Sequence, residues 1–188
     1  MDITKLKEIF GEWPLRVCNF EKISYEQFRK DWLATYSEPN DADLREEPVI
    51  RDAYDTITLP VRGTNGSGGY DFVSPLSFTL EPGEDIVILT GIKVRLDIGW
   101  TLEILPRSGM GSKYYFRLAN TTGLIDSDYA DNPKNEGHIL AKVRNEGTIP
   151  MVVNKGDRFC QGVTRIYGIS TDDNATDTRN GGFGSTGK

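Results

Sequence analysis

The sequence predicts an all-β domain, a distorted jelly roll or β-barrel, entered through a short α-helical N-terminal extension. Three observations predict it. From about residue 49 onward, apolar and polar residues alternate over short runs, the mark of strands with one buried face. Turn signals such as Pro82-Gly83, Pro106, Asn145 to Gly147 and Asn154 to Asp157 recur at short intervals, with no long helical pattern between them. The 20 glycines among 188 residues exceed the average share of about 7% and supply many tight turns. A chain of this length buries roughly 70% of its unfolded surface on folding, so one core suffices.

The extension comes first. Lys5 to Phe10 suggests a short helix. Ser24 followed by Gln27 reads as a capping box, and Tyr25, Phe28, Trp32, Leu33 and Tyr36 then recur at helical spacing among Glu26, Arg29, Lys30 and Asp31. The run from Ser37 to Pro48 is acidic, carries two prolines and lacks periodicity, as an exposed linker does. These features divide the chain into an extension with its linker (1–48), a β domain (49–171) and a polar, glycine-rich tail (172–188) that cannot build its own core. Within the β domain the clearest strands are Ile92 to Ile98, with Ile92, Val94, Leu96 and Ile98 on one face, and Ile139 to Val143. His138, beside the second, is expected to face solvent.

Composition excludes several roles. Lys and Arg number 22 against 28 Asp and Glu, and the net charge of −6 argues against holding duplex DNA or an anionic membrane by bulk charge. The longest apolar stretch, Ile86 to Leu89, is too short to cross a bilayer, and no signal-peptide pattern opens the chain. Two distant cysteines, Cys18 and Cys160, and one histidine form no zinc set, and a reduced, cytoplasmic setting is expected.

Five segments carry chemistry. Pro106-Arg107-Ser108-Gly109 offers a guanidinium, a hydroxyl and glycine-freed amides after an apolar strand end, a donor set suited to phosphate oxygens; a surface turn with a solvated Arg is the plainer reading. In Asn120 to Tyr129, Leu124 and Ile125 lead into Asp126, so its carboxylate emerges from a buried segment, able to orient and deprotonate a water; a turn-capping Asp is the alternative. Asp71, in Ser67 to Phe72, provides one carboxylate, enough for Mg²⁺ when phosphates and waters supply its other ligands. Gln161, in the Gly156 to Gly162 segment, alternates with Phe159 and places an amide in an otherwise apolar strand, with Cys160 as a buried spacer. The last ten residues set Arg179, Phe183, Gly184, Ser185 and Thr186 among glycines, as a segment closing over a nucleotide requires.

Together and in this order, the five segments resemble the five motifs of the trimeric deoxyuridine triphosphatase (dUTPase) family, from about Leu59 to the C-terminus. The resemblance implies hydrolysis of dUTP to dUMP and pyrophosphate with Mg²⁺, which limits uracil incorporation into DNA and supplies dUMP for dTMP synthesis. It implies a homotrimer whose active sites are shared between chains. By resemblance Asp126 activates the attacking water, with Gln161 beside it. Asp71, Arg107, Ser108, Gly109, Asn120, Gly123 and Tyr129 bind substrate, the last by stacking on deoxyribose, and Asp71 also lies near the metal-bound waters. Phe183 stacks on uracil, while Arg179, Gly184, Ser185 and Thr186 meet the phosphates. A dCTP deaminase or bifunctional relative on the same fold is the alternative enzyme; a non-enzymatic regulator is the alternative class, with Trp13 and Trp32 of the extension available to a partner. Two features depart from the family pattern. Seven residues, Ala130 to Glu136, separate Tyr129 from Gly137 where one is usual, and Arg179 precedes Phe183 by four residues, one fewer than usual.

Overall fold

A computed structural model describes residues 4, 5, 8, 11, 14–177, 179 and 181. Thr4, Lys5 and Glu8 have helical backbone, and the remainder of the helix expected over Lys5 to Phe10, like Trp13, lies outside the described residues. Strand β1 (Cys18–Lys22) leads into helix α1 (Tyr25–Thr35), then a 3₁₀ helix (Pro39–Arg45) and α2 (Glu47–Asp55). Ser24 caps α1, its hydroxyl accepting from the Gln27 amide at 3.1 Å, but the capping box expected there is not closed: Gln27 Nε2 turns to Asp31, and the Ser24 N–H goes to Glu136 instead. Phe28 and Trp32 are fully buried on the face the periodicity marks, and Trp32 donates its indole N–H to the Leu44 carbonyl at 2.8 Å.

Two expectations about this region change. Trp32 is part of the core and offers nothing to a partner. The acidic run after Ser37 is regular structure, not an irregular linker: Glu38 and Asp41 cap the 3₁₀ helix reciprocally, and Pro48 sits in the first turn of α2, where its missing N–H has no helical partner to lose.

The β domain follows as β2 (Val61–Arg62), β3 (Gly69–Val73), β4 (Phe78–Leu80), β5 (Asp85–Leu89), β6 (Ile92–Leu96), β7 (Trp100–Pro106), helix α3 (Ser108–Tyr114), β8 (Phe116–Leu118), β9 (Gly123–Ile125), β10 (Leu140–Asn145), β11 (Met151–Val153) and β12 (Arg158–Ile166). Every strand pairing is antiparallel. A five-stranded sheet ordered β2-β3-β12-β7-β9 faces smaller sheets, β5-β10-β8, β11-β4 and β1-β6, in a jelly-roll arrangement. Phe28, Trp32 and Ile50 of the extension share one continuous core with Phe72, Ile88, Leu102, Val143 and Phe159 of the strands. Burying α1 against the sheets stabilises it far more than its own propensity does.

The alternation expected through Ile98 stops at Leu96. Asp97 still bonds to the Val17 carbonyl, but Gly99 at φ +90° turns the chain and leaves Ile98 92% exposed. Ile139, Ala141 and Val143 are buried as predicted. His138 is not solvent-facing: α1 covers this end of β10, and the imidazole is completely buried with Nδ1 2.6 Å from Asp31 Oδ2. No described helix is long and apolar enough to cross a membrane.

Candidate active site

One face of the five-stranded sheet carries polar groups on a row set by strand register. Asp71 on β3 lies opposite Gln161 on β12, which lies opposite Leu105 on β7. Residues directly opposite share a face. The next positions along, Phe72 and Cys160, turn inward and are buried, and burial raises the Cys160 thiol pKa, as suits an inert spacer. Asp71 accepts from Arg107 Nε at 2.9 Å through one oxygen and from Arg158 Nη1 at 3.0 Å through the other. Two guanidiniums against one carboxylate leave net positive charge and free N–H groups. Arg107 is also the N-cap of α3, so the amides of Ser108 and Gly109 open its first turn beside the cluster. Gln161 Nε2 donates to the Pro106 carbonyl at 3.2 Å, and its side chain crosses Gly69 so closely that a Cβ there would overlap Oε1. This is a collar of donors fit for an oxyanion chain.

The second group sits around the turn that carries the chain from β8 in one sheet to β9 in the other. A cavity of about 290 Å³ is lined by Asn120, Gly123, Ile125, Ile104, Leu118 and Leu140. Gly123 lets β9 approach β7 closely, since a Cβ there would lie 3.1 Å from Ile104 Cβ. Asp126 follows directly. Of the two apolar residues before it only Ile125 is buried; Leu124 is 59% exposed, so the segment is buried on one side only. Arg179 Nη2 pairs with Asp126 and Nε with Asp128 at 2.8 Å, and its guanidinium lies 5.8 Å from the centre of the Tyr129 ring. Tyr129 is buried and its hydroxyl is fully used: it accepts from Asn135 Nδ2 at 2.7 Å and donates to the His138 carbonyl at 3.2 Å. Burial raises the pKa of this phenol.

The structure thus gathers the predicted residues into two groups rather than one. Asp71, Arg107, Ser108, Gly109 and Gln161 form the first; Asn120, Gly123, Asp126, Tyr129 and Arg179 form the second. Ile125 pairs with Leu102 while Gln161 pairs with Leu105, two strands away. At about 3.3 Å per residue and about 4.8 Å per strand, Asp126 and Gln161 of one chain are on the order of 15 Å apart. Phe183, Gly184, Ser185 and Thr186 lie outside the described residues. Sequence reasoning missed Arg158, Gly69, Asp128 and the asparagines after Tyr129. Arg158 had a readable signal, lying within the same short segment as Gln161, whereas the role of Gly69 appears only when β3 and β12 pair.

Among the described residues no group of three His, Cys, Asp or Glu could hold a metal. Both oxygens of Asp71 are taken by arginines. This donor set fits a metal ion carried by phosphates and waters, not one caged by protein.

Comparisons with known proteins agree with the geometry. The dUTPase family model matches residues 55–187. The chain is 38% identical over 133 residues to the deoxyuridine 5'-triphosphate nucleotidohydrolase of Lactococcus lactis, covering 70% of this chain and 89% of that protein. It is 38% identical over 147 residues to the corresponding protein of Paraburkholderia phytofirmans, covering 74% and 95%. The crystal structure of the dUTPase from Streptococcus mutans superposes with a TM-score of 0.55 at 33% identity, over 62% of this chain and 90% of that one. With every candidate site residue from Asp71 to Thr186 lying within the matched residues and its strands in this arrangement, the chain belongs to the dUTPase family.

Proposed function

We propose that this protein hydrolyses dUTP to dUMP and pyrophosphate, lowering the dUTP open to polymerases and yielding the precursor of dTMP. The observation that carries this reading is the division of labour between the two groups: an arginine-rich collar with exposed helix-start amides, and a largely apolar cavity lined by Asn120, Gly123 and Ile125, with the Asp126 carboxylate next in the chain. A nucleoside fits the second and a triphosphate the first. Asn120 and the backbone about Gly123 meet the uracil edge, and Tyr129 lies against the deoxyribose, where its ring leaves no room for a 2′-hydroxyl.

Arg107, Arg158, Ser108 and Gln161 hold the phosphate oxygens and fix the α-phosphorus. Asp126 orients a water and takes its proton as the water attacks, with pyrophosphate leaving opposite. Positioning and charge stabilisation carry most of the barrier reduction. A Mg²⁺ ion carried by the triphosphate would supply further charge neutralisation. Asp71 holds Arg107 and Arg158 in place and would be the residue to accept hydrogen bonds from waters of that ion. Arg179 exchanges its pairing with Asp126 for the phosphates when substrate arrives, freeing the carboxylate, and Phe183 with Gly184, Ser185 and Thr186 closes over the base and phosphates.

The separation of Asp126 from Gln161 within one chain means that a working site takes its two groups from different copies. A homotrimer with three shared sites meets this requirement. Pyrophosphate release measured with dUTP, UTP, dTTP and dCTP tests the function. Strong preference for dUTP is expected; equal turnover of the four, or ammonia release from dCTP, would contradict it.

A further inference from the structure

The N-terminal extension, which precedes the residues that the family model matches, and the residues inserted after Tyr129 are bonded to each other. Glu136 lies over the start of α1, where Ser24 donates its backbone N–H to Oε2 at 2.8 Å and its hydroxyl to Oε1 at 2.6 Å. A carboxylate at this end also complements the helix dipole. Two turns further along α1, Asp31 faces His138 at 2.6 Å and receives Gln27 Nε2 at 2.7 Å. His138 Nε2 accepts the Gly91 N–H at 2.9 Å, so the ring proton is on Nδ1, directed at Asp31.

The clamped residues are those that hold Tyr129. Asn135 and the His138 carbonyl occupy its hydroxyl, and Gly137 passes so near that a Cβ would lie 2.7 Å from the Tyr129 carbonyl. The loop has turn bonds of its own, such as the Glu136 N–H to the Asn132 carbonyl at 2.7 Å, but two of its residues are held from outside. Asp131 and Glu136 sit in the left-handed region at φ 59° and 55°, where a residue with a side chain needs outside support. Asp131 finds it in Lys93 and Arg95 of β6, and Glu136 in Ser24.

From these contacts we infer that α1 braces the loop after Tyr129, and that Glu136 and Asp31 are positioning residues that set the Tyr129 ring for discrimination at the sugar. The inference rests on the reading of Tyr129 as the sugar contact. The test measures kcat/KM for dUTP and for UTP in Glu136→Ala, Asp31→Ala and Tyr129→Ala, with Glu136→Gln and Asp31→Asn as conservative variants. It also measures hydrogen exchange of residues 129–139 against β7 and β12 in the unliganded protein.

A fall of about tenfold or more in the dUTP/UTP ratio is expected in all three alanine variants, with partial recovery in the conservative pair. Exchange should quicken in the loop alone. Should either alanine variant of the brace fail to fold, the corresponding conservative variant carries the comparison, its ratio lying between wild type and Tyr129→Ala. An unchanged ratio in the Glu136 and Asp31 variants beside a collapsed one in Tyr129→Ala overturns the brace and leaves the sugar reading standing. An unchanged ratio in Tyr129→Ala overturns the sugar reading itself and the specificity role built on it.

Discussion

Lowering the pH from 7.5 to 5.5 should destabilise this protein through one residue, His138, the single histidine of the chain. Its imidazole is completely buried, gives its Nδ1 proton to Asp31 and accepts the Gly91 N–H at Nε2. A second proton would abolish that acceptor and set two N–H groups against each other. Burial holds the pKa below the ordinary 6.5, outweighing the opposing pull of Asp31 and Glu136. The unfolded chain therefore takes up a proton near pH 6.5 that the folded chain refuses. Stability is complete above that value and declines as pH falls through it, by at most about 1.36 kcal/mol per pH unit. Between pH 7.5 and 5.5 the loss from this one group is therefore at most about 1.4 kcal/mol, or at most about 3–6 °C in Tm for a chain of this size.

The window belongs to His138. Glu21, beside Arg95, Glu47, beside Arg29, and Asp131, which Arg95 and Lys93 lower to about 2, have unfolded values near 4 and act only at more acid pH. Urea unfolding at pH 7.5, 6.5 and 5.5, for wild type and His138→Gln, makes the measurement. A flat wild-type profile, or an equal decline in His138→Gln, would refute the reasoning.

Other outcomes follow from the same contacts. Gly69→Ala drives a Cβ into Gln161 Oε1, the movable end of a side chain, so stability should change by less than about 1 kcal/mol while kcat for dUTP falls; unchanged kcat would show that Gln161 need not hold this pose. Trp32→Ala removes a fully buried indole and its bond to Leu44, and urea unfolding should register a loss of about 3–5 kcal/mol. Asp126→Asn keeps the shape but cannot take the water's proton; nucleotide binding should persist in calorimetry while turnover drops by about 10²-fold or more, and near-normal kcat would exclude Asp126 as the base.

Much of this was legible in the sequence because the signals were local. The Ser24 cap, the face bearing Phe28 and Trp32, the alternation of Ile139, Ala141 and Val143 and the five motif segments each depend on residues a few positions apart. What failed depended on distant neighbours. Period two placed His138 outside because nothing local says that α1 lies across it, and Asp31 is more than a hundred residues away. Ile98 continued a good alternation, yet Gly99 ended the strand before it. The acidic run read as linker because a 3₁₀ helix has no apolar period to display. Within the site, the residue types were readable from the motifs, but the gap between Asp126 and Gln161 is a property of strand order, with β7 standing between β9 and β12.

That gap leads to the most direct test of the account: Asp126→Asn and Gln161→Ala chains are prepared separately, unfolded, mixed in equal amounts, refolded together and assayed for pyrophosphate release from dUTP. Each variant alone should be nearly inactive. If a site takes Asp126 from one copy and Gln161 from another, random assortment restores about a quarter of wild-type activity in the mixture. A mixture no more active than its parents, from variants that refold and assemble normally, would place both residues in a site within one chain and contradict the account.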